Sequence, residues 1–229
     1  MVKKYEWRLI VSQKKTPAEL MAIDEVLFDE KHRTQRAPSI LHIYTWDAPC
    51  VTFGYFQKYA LFEEFHVPKV RRLTGGLGVL HGSDIAYSCV LDAQDYPFVY
   101  DQKAVYQKVH GVMKTALEML GITTTYASLT PTTKTRECRD TLFEHDLMSK
   151  GSKIVGSCQR RRSGIILQQG SLSIGEMISL DSFIHAVCPA WETTFSCSIK
   201  KDILFTESRG RVEDLIKAKY SQRDWNEDR

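Results

Sequence analysis

The sequence predicts an α+β fold in which mixed or antiparallel sheets pack with helices. Three observations carry that expectation. Strand-like runs come in pairs joined by turn signals, as in SILHIYTW (39–46), DAPC (47–50) and VTFGY (51–55). Apolar residues in KAVYQKVHGVMKTALEMLG (103–121) repeat at helical spacing. Helices and strand pairs interleave with no composition break, so residues 1–229 are expected to form one domain.

YEWRLIVSQ (5–13) reads as the first strand, followed by a helix from TPAELMAIDEVLFDEKH (16–32). Thr16 suits the N-cap, Pro17 the first helical position and Glu19 a capping box. Leu20, Ile23, Val26 and Leu27 share one face of that helix. After the 39–55 strand pair, YALFEEFH (59–66) is a short helical piece, and VRRL (70–73) is a strand that ends at TGGLG (74–78). IAYSCVL (85–91) is the next strand, so the glycine loop lies between two strands. In the 103–121 helix, Val105, Val109, Val112, Met113, Ala116, Leu117 and Leu120 form the apolar face, and Gly121 supplies the C-terminal cap. TTTYAS (123–128) reads as a strand, and the polar, aperiodic 129–146 stretch as a long loop. SKIVGSCQ (152–159) and GIILQQGSLSI (164–174) flank the basic turn RRRSG. SLDSFIHAVCP (179–189) and RVEDLIKAKYSQ (211–222) close the chain as helices.

The bulk composition, 43% hydrophobic and 26% charged, is that of an ordinary globular protein. A net charge of +3 lacks the basic excess of most nucleic-acid binders, so no nucleic-acid partner is expected. No apolar run approaches the ~20 residues that cross a bilayer, and the opening lacks a secretory signal. The six cysteines (50, 89, 138, 158, 188, 197) form no CxxC pair and no zinc-spaced cluster. A cytoplasmic protein with reduced thiols, no membrane partner and no bound metal is expected.

Four stretches can carry chemistry. In RRLTGGLGVLH (71–81) the glycines let backbone amides approach a ligand, and Arg71 or Arg72 can grip a phosphate or carboxylate, although a tight turn explains the glycines equally well. The run lacks both the Walker pattern and a following helix. Lys153 opens a β-branched strand beside Gly151 and Gly156, where it is either a fixed charge for an acyl or phosphoryl group or a surface lysine. Cys138, two residues after Arg136 in a polar loop, is a candidate nucleophile, whereas Cys158 reads as packing. Arg160–Arg162 suits a triphosphate or an exposed turn.

Together these stretches resemble the lipoate-protein ligase and octanoyltransferase family, whose catalytic fold is shared with biotin-protein ligases. MAIDEVL (21–27) is similar to the family's first helix and YTWDAPCVTFGYFQ (44–57) to its W-x-x-P-x-V-x-x-G-x-x-Q segment. RRLTGGLGVLH resembles RR-x-[ST]-GGG-x-V-x-H, and KIVGSCQRRRSGIILQQGSL resembles KI-x-G-x-A-Q…LQHG-[ST]. The resemblance implies a lipoyl or octanoyl chain in an apolar tunnel beside the glycine loop, with Lys153 at the acyl carbonyl. It implies substrate or nucleotide contacts from Arg72, Thr74, Gly75, Gly76, Gly78, His81 and Gly156, and a nucleotide-holding role for Asp146. Leu77 replaces the family's third glycine and Gln169 the histidine of LQHG.

Two chemistries follow from the resemblance. A ligase uses ATP and Mg²⁺ to make the acyl-adenylate of lipoate or octanoate, then modifies a lysine of a lipoyl-domain acceptor, a 2-oxoacid dehydrogenase E2 or a glycine cleavage H protein. A transferase takes the octanoyl group from acyl carrier protein onto Cys138 without ATP. Asp146 and the arginine turn favour the ligase as the main expectation, and no C-terminal accessory domain is expected. A non-catalytic acyl-binding protein is a third reading, supported by Leu77 and Gln169.

Overall fold

The computed structural model describes residues 5–34, 37–128, 138, 141–174, 178–204 and 206–228. Strand β1 (Tyr5–Lys15), helix α1 (Pro17–Arg33) and strand β2 (Ser39–Trp46) form a crossover unit whose strands run parallel, with Leu9 opposite Leu41. Thr16 caps α1 as expected, its Oγ1 accepting from the Glu19 N–H at 3.2 Å. The Glu19 carboxylate accepts from Lys15 at 2.8 Å.

Strands β3 (Cys50–Phe53), β4 (Lys69–Arg71) and β5 (Val79–His81) make a small sheet in the order β4-β3-β5. The stretch expected to be helical before β4 is one 3₁₀ turn, Tyr59–Phe62. Strand β6 (Ile85–Asp92) returns to the main sheet, and helix α2 (Gln102–Met119) follows, capped by Asp101 and ended at Gly121 with φ +79°. Strands β7 (Thr125–Tyr126), β8 (Leu147–Ser149), β9 (Ser152–Arg162) and β10 (Ile165–Leu172) come next. The β9–β10 turn has Ser163 and Gly164 both at positive φ, as a two-residue hairpin turn demands. Helix α3 (Leu180–Phe195), strand β11 (Cys197–Lys201) and helix α4 (Thr206–Leu215) lead to a π-helical turn (Ile216–Tyr220) and a short helix α5 (Arg223–Asn226).

The eight-stranded mixed sheet runs β11-β1-β2-β6-β10-β9-β8-β7. Successive side chains of a strand point to opposite faces, and the two cores divide accordingly. Leu9, Leu41, Tyr87 and Leu91 meet α2 and α3 on one side, while Ile10, Ile40, Ala86 and Val90 meet α1 on the other.

Two expectations need correction. Strands β5, β8 and β11 were not anticipated, because each of these short segments is held by pairing and not by its own alternation. Helix α3 continues through Pro189 to Phe195, since Ala190, Trp191 and Phe195 keep its apolar face buried beyond the proline. The expected 129–146 loop lies mostly outside the described residues, and its described end, 141–146, is loop and turn leading into β8.

Candidate active site

The glycine loop spans the small and large sheets. Gly76 sits at φ +82°, and a Cβ on Gly54 would stand 2.0 Å from the Gly76 carbonyl oxygen, so the 54–57 turn and the loop touch backbone to backbone. Tyr55 N–H donates to the Thr74 carbonyl at 2.9 Å. Arg72, 4% exposed, is spent inside this assembly. Its Nε donates to Thr74 Oγ1, one terminal nitrogen to the Thr52 carbonyl and Oγ1, and the other to the Gly75 and Leu77 carbonyls at 2.7 and 2.8 Å. The guanidinium therefore shapes the loop from within, and Arg72 also lines the cavity beneath it.

Arg71 is likewise buried and donates to the carbonyls of Tyr55, Gln57, Trp225 and Asn226. The 160–162 run also points elsewhere. Arg160 lies 5.0 Å from the Tyr55 ring centre, Arg161 donates to Gln159 and the Val99 carbonyl, and Arg162 pairs with Asp29 at 2.8 Å.

Behind the loop, β9 and the 141–146 turn bring the expected chemical groups together. Lys153 Nζ lies 2.7 Å from Asp146 Oδ2 and 3.1 Å from Cys138 Sγ, and donates to the Cys138 and Thr141 carbonyls at 3.1 Å each. Both side chains of the Lys153–Asp146 pair are nearly buried, 6% and 4% exposed. Burial pulls the Lys153 ammonium down, but Cys138 and Asp146 outweigh it and hold it above its ordinary value, so it stays charged. Gly156 creates the space for that ammonium, since a Cβ there would stand 2.5 Å from Lys153 Cε. Cys138 is tied to the glycine loop by its N–H, which donates to the Gly78 carbonyl at 2.8 Å.

Beneath the loop runs an apolar cavity lined by Met21, Trp46, Leu77, Val79 and Phe143, with Cys138 in its wall. Its polar wall is satisfied internally. Thr74 Oγ1 donates to Gln169 Oε1 at 2.8 Å, and Gln169 Nε2 donates to Asp24 Oδ2 at 2.7 Å. His81 bonds Asp84 Oδ2 through Nδ1 at 2.7 Å and Thr52 through Nε2 at 2.9 Å, and its ring stacks on Trp46. Burial would raise the Asp84 carboxyl, yet His81, Ser171 and the Gly82 N–H together hold it down at about 2.

Cys138, Lys153, Asp146, Gly156 and Gly78 thus converge, and Arg72, Thr74, Gly75, Gly76 and His81 build the adjoining wall. Asp24, Asp84, Thr52 and Phe143 were missed as site residues. Asp24 carried a readable signal, because it shares the Leu20/Ile23/Leu27 face of α1 and a carboxylate on an apolar face needs a partner.

Residues 16–204 match the family model described as the lipoyl protein ligase A/B catalytic domain. The octanoyltransferase LipM of Bacillus subtilis is 31% identical, over 80% of this chain and 72% of that protein. LipM of Brevibacillus brevis is 25% identical over 96% of this chain and 98% of that protein. Among solved structures, lipoate-protein ligase A bound with ATP superposes with a TM-score of 0.77 at 18% identity, covering 98% of each chain. A bipartite lipoate protein ligase from Thermoplasma acidophilum superposes with a TM-score of 0.76 at 18% identity, covering 98% of this chain and 96% of that one. These likenesses show the fold. With the family match over most of its length, the chain belongs to the lipoyl protein ligase A/B catalytic-domain family, enzymes of lipoyl and octanoyl transfer.

Proposed function

We propose that this protein is an octanoyltransferase that carries the acyl group as a thioester on Cys138. The observation that carries the reading is the 3.1 Å approach of the Lys153 ammonium to Cys138 Sγ. A fixed cation at this distance offsets the negative charge that moves onto and off the sulfur during acyl exchange. The relatives named octanoyltransferase support the same branch, so the ligase expected from sequence gives way to its alternative.

In the first half-reaction the Cys138 thiolate attacks the carbonyl of the octanoyl-carrier thioester. The carbon–sulfur bond to the carrier breaks, and the carrier thiolate leaves and takes a proton from solvent. Lys153 balances the charge as it moves from sulfur to carbonyl oxygen and back. In the second half the neutral amine of an acceptor lysine attacks the Cys138 thioester. Its nitrogen gives a proton to solvent, an amide forms as the carbon–sulfur bond breaks, and Cys138 departs as a thiolate against Lys153. Met21, Trp46, Leu77 and Val79 line an apolar sleeve suited to the alkyl chain.

ATP and Mg²⁺ fit these residues poorly. Asp146, the residue expected to hold the nucleotide, is committed to Lys153 at 2.7 Å and to the Phe143 N–H at 2.8 Å. Leu77 adds an isobutyl group to a loop whose open amides an adenylate phosphate would need.

The test offers an apo lipoyl domain in two arms, octanoyl-carrier protein without ATP, and lipoate with ATP and Mg²⁺. Acceptor acylation in the first arm, lost in Cys138→Ala, is expected. Acylation confined to the second arm, and indifferent to Cys138, would restore the ligase.

A further inference from the structure

The attack of an acceptor amine on a thioester has a proton to place, and a positioned base that takes it speeds the step. Lys153 is held as an ammonium and has no lone pair to offer. The Asp146 carboxylate is committed to Lys153 and to the Phe143 N–H. His81 is closed off by Asp84 on Nδ1 and by Thr52, 3% exposed, on Nε2.

One buried base among the described residues has a way out. His110 on α2 is 1% exposed, and its Nε2 lies 2.6 Å from Ser157 Oγ on β9. Ser157 is half-buried and lines the apolar cavity that has Cys138 in its wall. It also lines the adjoining cavity bounded by Tyr106, Phe143 and Asp146.

The proton positions in this pair follow from a one-way chain of hydrogen bonds. Arg161, which can only donate, gives to Gln159 Oε1 at 3.0 Å. Gln159 Nε2 then donates to Gln168 Oε1 at 2.8 Å, and Gln168 Nε2 to Ser157 Oγ at 2.9 Å. At the other end His110 Nδ1 faces the His145 carbonyl, which can only accept, so Nδ1 carries the imidazole proton. The Ser157 hydroxyl is therefore left to donate to the lone pair on His110 Nε2. Burial holds the His110 imidazole below its ordinary value, with Lys153 and His145 adding to the effect and the His145 carbonyl and Asp146 opposing it. The Tyr106 ring, 5.9 Å away, covers it on the helix side. It is neutral, and so able to accept a proton.

We propose that Ser157 and His110 relay the proton released by the acceptor lysine when its amine attacks the acyl-Cys138 thioester. As the carbon–nitrogen bond forms, the amine passes a proton to Ser157 Oγ while the Ser157 hydroxyl proton moves to His110 Nε2. The carbon–sulfur bond breaks and Cys138 departs as a thiolate. The imidazolium then returns its proton through Ser157 to solvent, which resets the pair. Ser157 touches the substrate nitrogen, and His110 acts through it. This assignment rests on the thioester reading above.

The two half-reactions separate the possibilities. Loading, the formation of octanoyl-enzyme from octanoyl-carrier protein, exchanges one thiolate for another and needs no base. Hand-off, the reaction of isolated octanoyl-enzyme with apo lipoyl domain, does. Both are followed by intact mass. Ser157→Ala is expected to slow hand-off by about 100-fold, and to slow it far more than loading. Ser157→Thr keeps the hydroxyl and should recover most of that rate. His110→Gln keeps an acceptor for the Ser157 hydroxyl but no base, so it should be as slow as Ser157→Ala. Wild-type hand-off in Ser157→Ala or in His110→Gln would overturn the relay. So would equal losses in loading and hand-off, which would mean that Ser157 holds the acyl group in both steps. Wild-type protein that forms no octanoyl-enzyme would instead remove the thioester reading itself, and the relay with it.

Discussion

The Lys153 ammonium sits between the Cys138 sulfur at 3.1 Å and the Asp146 carboxylate at 2.7 Å, so one buried cation serves a nucleophile and a structural pair at once. Removing it should therefore damage chemistry and stability by separable routes.

Lys153→Met leaves Asp146 buried without its counter-ion, a loss expected at about 3 kcal/mol. Adding Asp146→Asn should recover much of that stability in thermal unfolding. Octanoyl transfer should stay abolished in both variants, because neither supplies a cation at the sulfur. Transfer restored together with stability would mean that Lys153 acts only through the fold.

Gly156→Ala tests placement alone. The new methyl would meet Lys153 Cε at 2.5 Å and displace the ammonium's stem. A shift of this size is expected to lower transfer by about 100-fold. The flexible lysine end can move aside, so the melting temperature should change little. Steady-state turnover beside calorimetry reads both.

Asp84 predicts an acid limit to stability. Its carboxyl is held at about 2 in the folded protein against an ordinary 3.8. The folded state thus binds that proton more weakly than the unfolded chain does. The contribution, about 2 kcal/mol, is fully present above pH 4 and drains away as pH falls toward 2. Asp84→Asn should flatten the dependence of melting temperature on pH across that window. An unchanged slope would place the acid sensitivity elsewhere.

Gln169 links the glycine loop to the buried Asp24, accepting from Thr74 at 2.8 Å and donating to Asp24 at 2.7 Å. Gln169→Leu removes one hydrogen bond from each, while Thr74 keeps Arg72 and Asp24 keeps His42, Tyr44 and Ser88, so the expected cost is about 1 kcal/mol. A denaturant midpoint equal to wild type would show that the chain of bonds is dispensable.

Much of this architecture was legible wherever a residue's neighbours lie close in sequence. The α1 and α2 faces, the Thr16 cap, the Gly121 ending and the 163–164 hairpin turn follow from local spacing and backbone freedom. Strand β11 was not legible, because its place is fixed by Trp7 pairing with Ile199 across most of the chain. Pro189 misled for a similar reason, since the burial of Trp191 and Phe195 outweighs one lost helix bond. In the site, the residue types of Lys153, Asp146 and Cys138 were readable, but their convergence was not. The arginines show the limit most clearly, because a guanidinium in sequence looks like a ligand for anions. Arg72 instead spends its donors on Thr52, Thr74, Gly75 and Leu77.

The most direct measurement is the intact mass of the protein after mixing with octanoyl-carrier protein in the absence of ATP and of any acceptor. A single added octanoyl group that maps to the Cys138 peptide and is absent from Cys138→Ala and Lys153→Met is the predicted result. An unmodified wild-type protein that nevertheless acylates a lipoyl domain when given lipoate, ATP and Mg²⁺ would contradict the thioester account.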